Sequence, residues 1–395
     1  MRIAEQPAWQ PPAEQLGSGP MKFRVERDVF ADAVAWTARS LPSRPTVPVL
    51  AGLLLEVRDH ALTVSGFDYE VSARVELEVA SEEAGVVLVS GRLLAEITRA
   101  LPPQPVTVST DGTRVVVTCG SSRFTLPTLP VEDYPTLPAM PARAGAVESD
   151  VFAAAVAQVA VAAGRDDTLP VLTGVRLEIE GETLTLAATD RYRLAVREVR
   201  WLPESPDLSA LALVPSRTLA DTARTITSGP EVSLALSASG AGEGMIGFTG
   251  GGRRTTTRLL DGEFPKYRSL FPAESAAAAE VPTAALTEAV KRVALVAPRN
   301  APVRLAFGPD GLQLEAGGAD DAQASEGLDA AYTGEPMTIA FNPGYLLDGL
   351  GAIEGDTARL AFTSPTRPAV LTGKPGEDGA GADYRYLLMP VRLSG

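Results

Sequence analysis

The segment PVLTGVRLEIEGETLTLAATDRYRLAVRE, residues 170–198, has a counterpart earlier in the same chain. PVLAGLLLEVRDHALTVSGFDYEVSARVE, residues 48–76, aligns with it without a gap, 122 positions earlier. Within both copies, runs of alternating apolar and polar residues are interrupted by turn residues, a pattern typical of antiparallel hairpins. A fixed long period indicates a repeated structural unit, so the repeat predicts the architecture before any single motif is interpreted.

The segments on either side of the hairpins repeat as well. Apolar residues at helical spacing precede each hairpin, and a strand followed by a polar or Pro/Gly corner leads into a second helical pattern. The spacing predicts six helices, at 30–39, 91–100, 151–163, 216–226, 286–297 and 344–353. Asp28 and Asp150 precede two of them and are predicted N-caps. Each repeat therefore contains two helices among antiparallel strands.

This pattern predicts an α+β fold of three similar domains, each with two helices packed on antiparallel sheets. We place the domains at 21–142, 143–274 and 280–395. Residues 1–20 are rich in proline and lack the basic start and apolar stretch of a secretory signal, so we expect a disordered extension. Because Met21 opens the run MKFRVERDVF, the extension is either a genuine tail or the result of a misplaced start codon.

Composition excludes several classes of protein. One cysteine in 395 residues excludes an internal disulfide and one histidine excludes a multi-histidine metal site, and together they favour a reducing cytosol. We expect no membrane span, since no run of about 18 apolar residues occurs. The net charge of −14 argues against a protein that coats nucleic acid. The six predicted helices hold seven basic and five acidic residues, which indicates either a helical face that tolerates phosphates or ordinary solvated charges.

No catalytic constellation is predicted. The run from Gly242 to Gly247 matches G-x-G-x-x-G, but a further glycine-rich turn follows it where a nucleotide site needs a helix. His60 is expected in a hairpin turn and Cys119 on a strand, where packing explains it. The acidic pairs Asp166-Asp167 and Asp320-Asp321 lack the spacing of an EF-hand. We therefore expect no metal and no cofactor, and a hydrolase using His60 is kept only as a competing hypothesis.

The run TDRYRLAV, residues 189–196, resembles the T-D-x-x-R-L-A motif of the bacterial DNA polymerase III β subunit, the DNA sliding clamp. Further similar runs are MKFRVERDVF at 21–30, SRPTVPVL at 43–50, FPKYR at 264–268 and YLLMPVRL at 386–393. The resemblance extends from Met21 to the end and is closest to actinobacterial members. It implies a head-to-tail homodimer, in which six domains form a ring around duplex DNA with helices lining the hole.

The resemblance also implies sites. Family members bind partner peptides in a pocket between the second and third domains, and the matching positions are Leu172, Thr189, Arg191, Tyr192, Arg193, Leu194, Pro265, Ser269, Leu270, Thr366, Pro368, Leu388, Met389, Pro390, Val391, Arg392 and Leu393. The expected DNA-facing residues are Arg44, Arg92, Arg99, Arg165, Arg217, Arg224, Lys291 and Arg292. Leu295 and Val296 match dimer-interface positions. Pro170 and Val171 replace aromatic DNA contacts of some members, and Arg165 is a possible substitute.

The implied function is a non-enzymatic, cytoplasmic processivity factor. The implied partners are a second copy of the chain, double-stranded DNA of any sequence, the polymerase III alpha subunit, the clamp loader and other proteins with a clamp-binding motif. The pocket is also expected to bind cyclic peptide antibiotics. An alternative reading makes the chain an additional clamp copy that gives tolerance to such antibiotics.

Overall fold

The structure, a computed structural model, describes residues 20–237, 244–298, 301–318, 322–374 and 383–392. Residues 1–19, Gly242, Asp320, Asp321 and Leu393 lie outside these ranges, so the predictions for them stay predictions. No helix in the described ranges is long and apolar enough to cross a membrane.

The described ranges contain six α-helices and 27 strands. The helices are α1 (Arg27–Thr37), α2 (Gly91–Ala100), α3 (Ser149–Ala160), α4 (Ser216–Thr225), α5 (Thr283–Val293) and α6 (Pro343–Gly351). The strands are β1 (Lys22–Val25), β2 (Gly52–Arg58), β3 (Ala61–Phe67), β4 (Val71–Glu78), β5 (Ala80–Glu83), β6 (Gly85–Ser90), β7 (Val106–Asp111), β8 (Arg114–Cys119), β9 (Ser122–Leu129), β10 (Ala142–Glu148), β11 (Gly174–Glu180), β12 (Thr183–Thr189), β13 (Arg193–Arg200), β14 (Leu202–Pro203), β15 (Ser209–Pro215), β16 (Glu231–Leu236), β17 (Met245–Gly250), β18 (Arg253–Arg258), β19 (Ala277–Pro282), β20 (Val303–Gly308), β21 (Gly311–Ala316), β22 (Ala324–Leu328), β23 (Ala331–Thr333), β24 (Met337–Phe341), β25 (Thr357–Phe362), β26 (Ala369–Gly373) and β27 (Tyr384–Leu388).

The chain forms two compact units. The first comprises Met1–Ala144 and Thr225–Arg258. Its strands follow one another in the order β16-β17-β18-β4-β3-β2-β6-β9-β8-β7-β1-β5, and its core includes the fully buried Phe23 and Phe30, whose rings meet edge to face with centroids 5.9 Å apart. Cys119 belongs to this core and is 1% exposed, as packing on a strand predicts.

The second unit comprises Gly145–Arg224 and Leu259–Gly395. Nine strands form one sheet in the order β15-β11-β12-β13-β27-β26-β25-β19-β23, and four form another in the order β22-β21-β20-β24. The larger sheet places the C-terminal strand β27 next to β13. Strand β13 begins at the end of the segment TDRYR, residues 189–193, which is called the TDRYR turn below. This pairing matters for function.

The structure confirms the repeat and the α+β class. The elements α1 and α3, β2 and β11, and β3 and β12 each begin 122 positions apart. Phe30, Phe152 and Leu286 all stand fourth in their helices, and all three are fully buried. The same position of each repeat therefore fills the core, as expected when one helix face packs on a sheet.

Both predicted N-caps are wrong. Glu26 occupies the N-cap position of α1 and Glu148 that of α3, neither with a side-chain capping hydrogen bond, and the predicted caps Asp28 and Asp150 lie inside the first turn. A carboxylate in the first turn still interacts favourably with the positive end of the helix dipole, so an aspartate before an apolar run does not distinguish the two positions. The predicted helices at 151–163 and 286–297 also extend too far, since α3 ends at Ala160 and α5 at Val293.

These boundaries change the charge balance. The six helices hold seven basic residues, Arg27, Arg92, Arg99, Arg217, Arg224, Lys291 and Arg292, and seven acidic residues, Asp28, Asp32, Glu96, Asp150, Asp221, Glu288 and Asp348. The predicted excess of two positive charges is therefore wrong, because the true first turns add acidic residues. The helices are neutral in a chain whose net charge is −14.

Candidate functional site

The TDRYR turn connects β12 to β13 in an unusual backbone conformation. Arg191 has φ of 80°, in the left-handed region that residues other than glycine rarely occupy and that costs on the order of 1 kcal/mol. The side chain of Asp190 offsets this cost, because its Oδ1 accepts hydrogen bonds from the backbone N–H groups of Tyr192 (3.0 Å) and Arg193 (3.1 Å). The next side chain, Tyr192, is 55% exposed.

The first unit contains the same turn 122 positions earlier. Asp68 Oδ1 accepts from the N–H groups of Glu70 (2.9 Å) and Val71 (2.6 Å), and Tyr69 has φ of 75°. The repeat therefore preserves the strained backbone of the turn. What differs is the side chain on the left-handed residue, which is tyrosine in the first copy and arginine in the second.

The C-terminal segment lies against the TDRYR turn. Strand β27 pairs antiparallel with β13, with Arg193 opposite Leu388 and Leu194 opposite Leu387. Beyond β27, the N–H of Met389 donates to the carbonyl oxygen of Tyr192 at 2.9 Å. This bond holds the backbone of Met389 against the turn, and the side chains of Met389 and Tyr192 are both exposed.

Arg193 ties this turn to helix α6. Its side chain is 6% exposed, its Nε donates to Asp190 Oδ2 at 2.9 Å and its Nη1 donates to Asp348 Oδ2 at 2.5 Å. The guanidinium also lies 4.3 Å from the ring centroid of Tyr345, and that ring stacks with Tyr192 at a centroid distance of 6.4 Å. The turn and the helix therefore form one surface, in which the rings of Tyr192 and Tyr345 stack next to Arg193. The two aspartates balance the charge of that arginine.

A cleft of about 610 Å³ opens beside this surface. Its lining residues are Ala163, Gly164, Arg165, Asp166, Leu169, Leu172, Asp190, Arg191, Tyr192, Arg193, Asn342, Gly344, Tyr345 and Asp348. Apolar and aromatic side chains supply one part of the lining, and arginines and aspartates supply the other. A cleft of this size and chemistry suits a short peptide that carries apolar anchors, with the polar groups fixing its orientation.

A buried carboxylate holds the segment at 264–271, next to β13 and β27. Glu178 is 2% exposed, receives hydrogen bonds from Tyr267 Oη at 3.1 Å and Arg176 Nε at 2.5 Å, and pairs with Arg268. Phe264 and Tyr267 in turn pack in a cluster that includes Leu194 and Leu387. Burial raises the pKa of Tyr267, and the negative charge of Glu178 raises it further, so the phenol stays protonated and donates.

The predicted pocket residues fall into three groups. Those that line the cleft are Leu172, Arg191, Tyr192 and Arg193. Those at the surface of the neighbouring segments are Pro265, Ser269, Leu270, Thr366, Pro368, Met389, Pro390, Val391 and Arg392. Those buried in the sheet are Thr189, Leu194 and Leu388. The buried group supports the site from below and is not available for direct contact.

Sequence reasoning missed the contribution of α6. Asn342, Tyr345 and Asp348 line the cleft, and Asn342 also caps the helix by accepting a hydrogen bond from the N–H of Tyr345 at 3.1 Å. The Asn-Pro pair before a helical pattern was a visible helix start. Nothing in the local sequence showed that this start would face a turn some 150 residues earlier.

All eight predicted DNA-facing residues are exposed. Three are paired with acidic neighbours, Arg224 with Asp221, Lys291 with Glu288, and Arg292 with Glu326. Arg165 lines the cleft described above. At the predicted dimer interface, Leu295 is 84% exposed, the most exposed of the large apolar side chains in the described ranges, and Val296 is partly exposed.

The competing sites have little support in geometry. His60 lies in the exposed turn between β2 and β3, with its Nδ1 3.0 Å from Ser81 Oγ. Within the described ranges, no group of three or more histidine, cysteine, aspartate or glutamate side chains is placed to hold a metal ion. Gly247 lies in β17, which leads through a glycine turn into β18, so a strand follows where a nucleotide fingerprint needs a helix.

Three repeats of two helices on antiparallel sheets define the class of the DNA clamps. Residues 21–138, 146–266 and 268–392 match the N-terminal, central and C-terminal domains of the DNA polymerase III beta subunit. These matches cover most of the sequence, and the chain therefore belongs to the DNA polymerase III beta subunit family.

Individual relatives agree with this assignment. The beta sliding clamp of Streptomyces coelicolor is 65% identical over 95% of this chain and its own full length. The beta sliding clamp homolog GriR of Streptomyces muensis is 48% identical over 94% of this chain and its full length. The Pseudomonas aeruginosa DnaN sliding clamp, solved bound to griselimycin, is 28% identical and superposes with a TM-score of 0.87 over 95% of this chain and 100% of its own.

The buried carboxylate provides a stability test. Replacing Glu178 with alanine leaves Tyr267 and Arg176 without their acceptor, so we expect a loss of about 2 to 4 kcal/mol in the free energy of unfolding. Urea denaturation followed by circular dichroism measures this change. Glu180, exposed two residues along the same strand, is the matched control, and Glu180→Ala should cost less than about 0.5 kcal/mol. Equal losses in the two variants would show that the Glu178 network does not stabilise the fold.

Proposed function

We propose that this sliding clamp encircles duplex DNA as a head-to-tail homodimer and tethers the replicative polymerase to its template. The proposal rests on the cleft beside the TDRYR turn, taken together with full-length identity of 65% to a beta sliding clamp. In this proposal each chain contributes domains at 21–142, 143–274 and 280–395, and the two chains form a ring of six domains. The matches to three successive family domains support that division.

A closed ring accounts for the charge of the chain. A protein that holds DNA by phosphate contacts alone needs a strongly basic surface. A ring is retained by topology, so neutral helices with exposed cations suffice and leave the ring free to move along any sequence. The proposed DNA-facing residues are Arg44, Arg92, Arg99, Arg165, Arg217, Arg224, Lys291 and Arg292. We assign no catalytic step to the chain, and we place it in the cytoplasm, where bacterial DNA is replicated.

The cleft is proposed to bind short peptides of the polymerase III alpha subunit, the clamp loader and other proteins that carry a clamp-binding motif. Tyr192, Met389 and Leu270 offer exposed apolar surface, and methionine adapts to different partners because its side chain is flexible and polarizable. Cyclic peptides related to griselimycin are proposed ligands of the same surface. The full proposed set is the family-matched pocket from Leu172 to Leu393, enlarged by Asn342, Tyr345 and Asp348.

The alternative role, an additional copy for antibiotic tolerance, has less support. Identity to the Streptomyces coelicolor beta sliding clamp is 65%, whereas identity to the homolog GriR is 48% over a similar length. We therefore propose the replicative role.

The exposed apolar residues give a direct test of peptide binding. We expect Tyr192→Ala combined with Met389→Ala to weaken binding of a polymerase-derived peptide about 10- to 100-fold, since aromatic and apolar anchors dominate such interfaces. Fluorescence anisotropy with a labelled peptide measures the affinity. Leu194 is unsuitable for this purpose because it is 1% exposed, and its truncation would cost about 2 to 5 kcal/mol of stability.

Leu202→Ala serves as the control, because Leu202 is 73% exposed and does not line the cleft. The control should bind the peptide as the wild type does. Unchanged affinity in the double variant would exclude the cleft as the peptide site.

The dimer can be tested at Leu295. A large apolar side chain that is 84% exposed in one chain is expected to be covered by a partner, so Leu295→Asp should shift the protein from about twice 41.3 kDa to the mass of one chain. Sedimentation or light scattering gives the mass. Leu211→Asp, at a residue that is 59% exposed on an edge strand, should leave the dimer intact. A wild-type protein with the mass of one chain would contradict the proposal.

A further inference from the structure

One position of the repeat carries a side-chain N–H donor in all three copies. Trp36, Gln158 and Arg292 each stand tenth in their helices, α1, α3 and α5. An indole, a primary amide and a guanidinium differ in shape and charge, but each presents an N–H group. The fourth position of the same helices is always an apolar core residue, so the tenth position follows a different rule.

In the first copy, the donor reaches the second repeat. Trp36 is 6% exposed, and its Nε1 donates to Thr225 Oγ1 at 3.0 Å. Thr225 is the last residue of α4, the second helix of the next repeat, and its carbonyl oxygen accepts from Arg253. The guanidinium of Arg253 lies 5.2 Å from the ring centroid of Trp36. The tenth residue of α1 is thus held by two elements of the second repeat.

In the second copy, the donor reaches the third repeat at the matching place. Gln158 is also 6% exposed, and its Nε2 donates to the carbonyl oxygen of Ala352 at 2.8 Å and to Glu354 Oε1 at 3.2 Å. Ala352 stands tenth from the start of α6, as Thr225 stands tenth from the start of α4. In addition, Tyr384 Oη donates to the backbone carbonyl oxygen of Gln158 at 3.4 Å. All three partners of Gln158 belong to the C-terminal family domain.

The third copy makes its contact within its own domain. Arg292 Nε donates to Glu326 Oε2 at 3.0 Å, its Nη2 donates to Glu326 Oε1 at 2.6 Å, and its side chain is 56% exposed. The tenth position is therefore buried in the two copies that contact the next repeat and exposed in the copy that pairs with its own domain. This contrast links the burial of the position to the junction between repeats.

The groups around Gln158 fix the orientation of its amide. A carbonyl oxygen and a carboxylate oxygen only accept hydrogen bonds, so the NH2 end of the amide faces them and uses both of its donors. Arg197 Nη1 lies 3.7 Å from Glu354 Oε2, so one carboxylate joins α3 and β13 of the second repeat to the segment after α6. A side chain of the same shape that cannot donate is therefore expected to push the two repeats apart.

We propose that the tenth residue of the first helix sets the orientation of a repeat relative to the next, and that Gln158 does so between the second and third repeats. A head-to-tail ring closes only when the rotation from one unit to the next has the right value. Directional hydrogen bonds at the junction hold that rotation, whereas apolar packing alone allows helices to slide. This inference rests on the proposed function, because it gives the proposed ring of six domains a device that determines its curvature.

Gln158→Glu tests this joint with a small change. It keeps the shape of the side chain but places a carboxylate oxygen against the Ala352 carbonyl and the Glu354 carboxylate, which repel it. We expect the distance between the second and third repeats to change by about 2 Å, the size of helix shifts at packed interfaces. The dimer dissociation constant should rise about tenfold, although the change leaves the predicted interface residues Leu295 and Val296 intact. A purely local loss of stability in α3 would alter neither quantity.

Pulsed electron paramagnetic resonance measures the distance. Spin labels are attached at Asp207→Cys and Glu335→Cys, two exposed positions in the second and third repeats. The native Cys119 is 1% exposed and is protected from the label. Labelled chains are diluted with an excess of unlabelled chains, so that the measured distance lies within one chain. Sedimentation over a series of concentrations gives the dissociation constant.

Further variants separate the joint from general damage. Glu354→Gln keeps an acceptor oxygen for Gln158 and should leave the distance unchanged, but combined with Gln158→Glu it should remove most of the shift, since its amide can donate to the new carboxylate. Gln104→Glu makes the same change of charge at an exposed residue of the first repeat and should have no effect. If Gln158→Glu does not fold, Gln158→Ala removes the donors without adding charge and should broaden the distance distribution.

The outcomes separate two failures. An unchanged distance and dissociation constant in both Gln158 variants, or a shift of equal size with and without Glu354→Gln, would overturn the role of Gln158 as a joint. A wild-type protein with the mass of one chain would count against the proposed ring, and the distance within one chain would still decide the role of the joint.

Discussion

The antiparallel ladder between β13 and β27 is the constraint on which the site depends. It pairs Arg193 with Leu388, residues that are 195 positions apart, and so joins the second copy of the repeat to the end of the described chain. It fixes the TDRYR turn, which forms one side of the cleft. The hydrogen bond from Met389 to Tyr192 continues the ladder, and the buried leucines beneath it pack against the segment held by Glu178. Such a long-range pairing is costly in loop closure, but once formed it gives a rigid base.

The charged side chains of the cleft do not contribute equally to its geometry. Arg193 is buried, doubly paired and stacked on Tyr345, so its chief effect is to hold the turn against α6. Replacing such a group is expected to disturb the geometry of the whole cleft. Arg191, two residues earlier, is exposed and lies at the rim. The two arginines of one short motif therefore differ in burial and in bonding: Arg193 holds the turn against α6, and Arg191 lies exposed at the edge of the cleft.

Much of the fold could be predicted from the sequence, because the repeat is a local signal copied in register. The hairpins at β2–β3 and β11–β12 and the buried Phe30 and Phe152 follow directly from it. The charge of the helices could not be obtained in this way, since it depends on whether Asp28 and Asp150 fall just outside or just inside a first turn. The contribution of α6 to the cleft was also beyond reach, because a tertiary contact across about 150 residues leaves no local pattern. Similarly, Leu194 belongs to the motif, but only the structure shows that it is core.

Duplication explains why one copy is free to specialise. The strained turn occurs at Tyr69 and at Arg191 with the same aspartate hydrogen bonds, so the turn itself belongs to the repeated frame. A binding cleft then requires only different side chains on the repeated backbone and a second segment of the chain that forms the opposite wall of the cleft. In the second unit, α6 and the residues from Ala163 to Leu172 supply that wall.

The central claim is that the chain acts as a ring held on DNA by topology, and retention on circular DNA tests it most directly. The protein is loaded by a clamp loader onto a nicked circle, and the bound fraction is measured by gel filtration at high salt before and after one restriction cut. We predict that the protein stays on the closed circle at high salt and leaves within the time of the assay once the DNA is linear. Loss from the intact circle at high salt, or equal retention on both forms, would contradict the account.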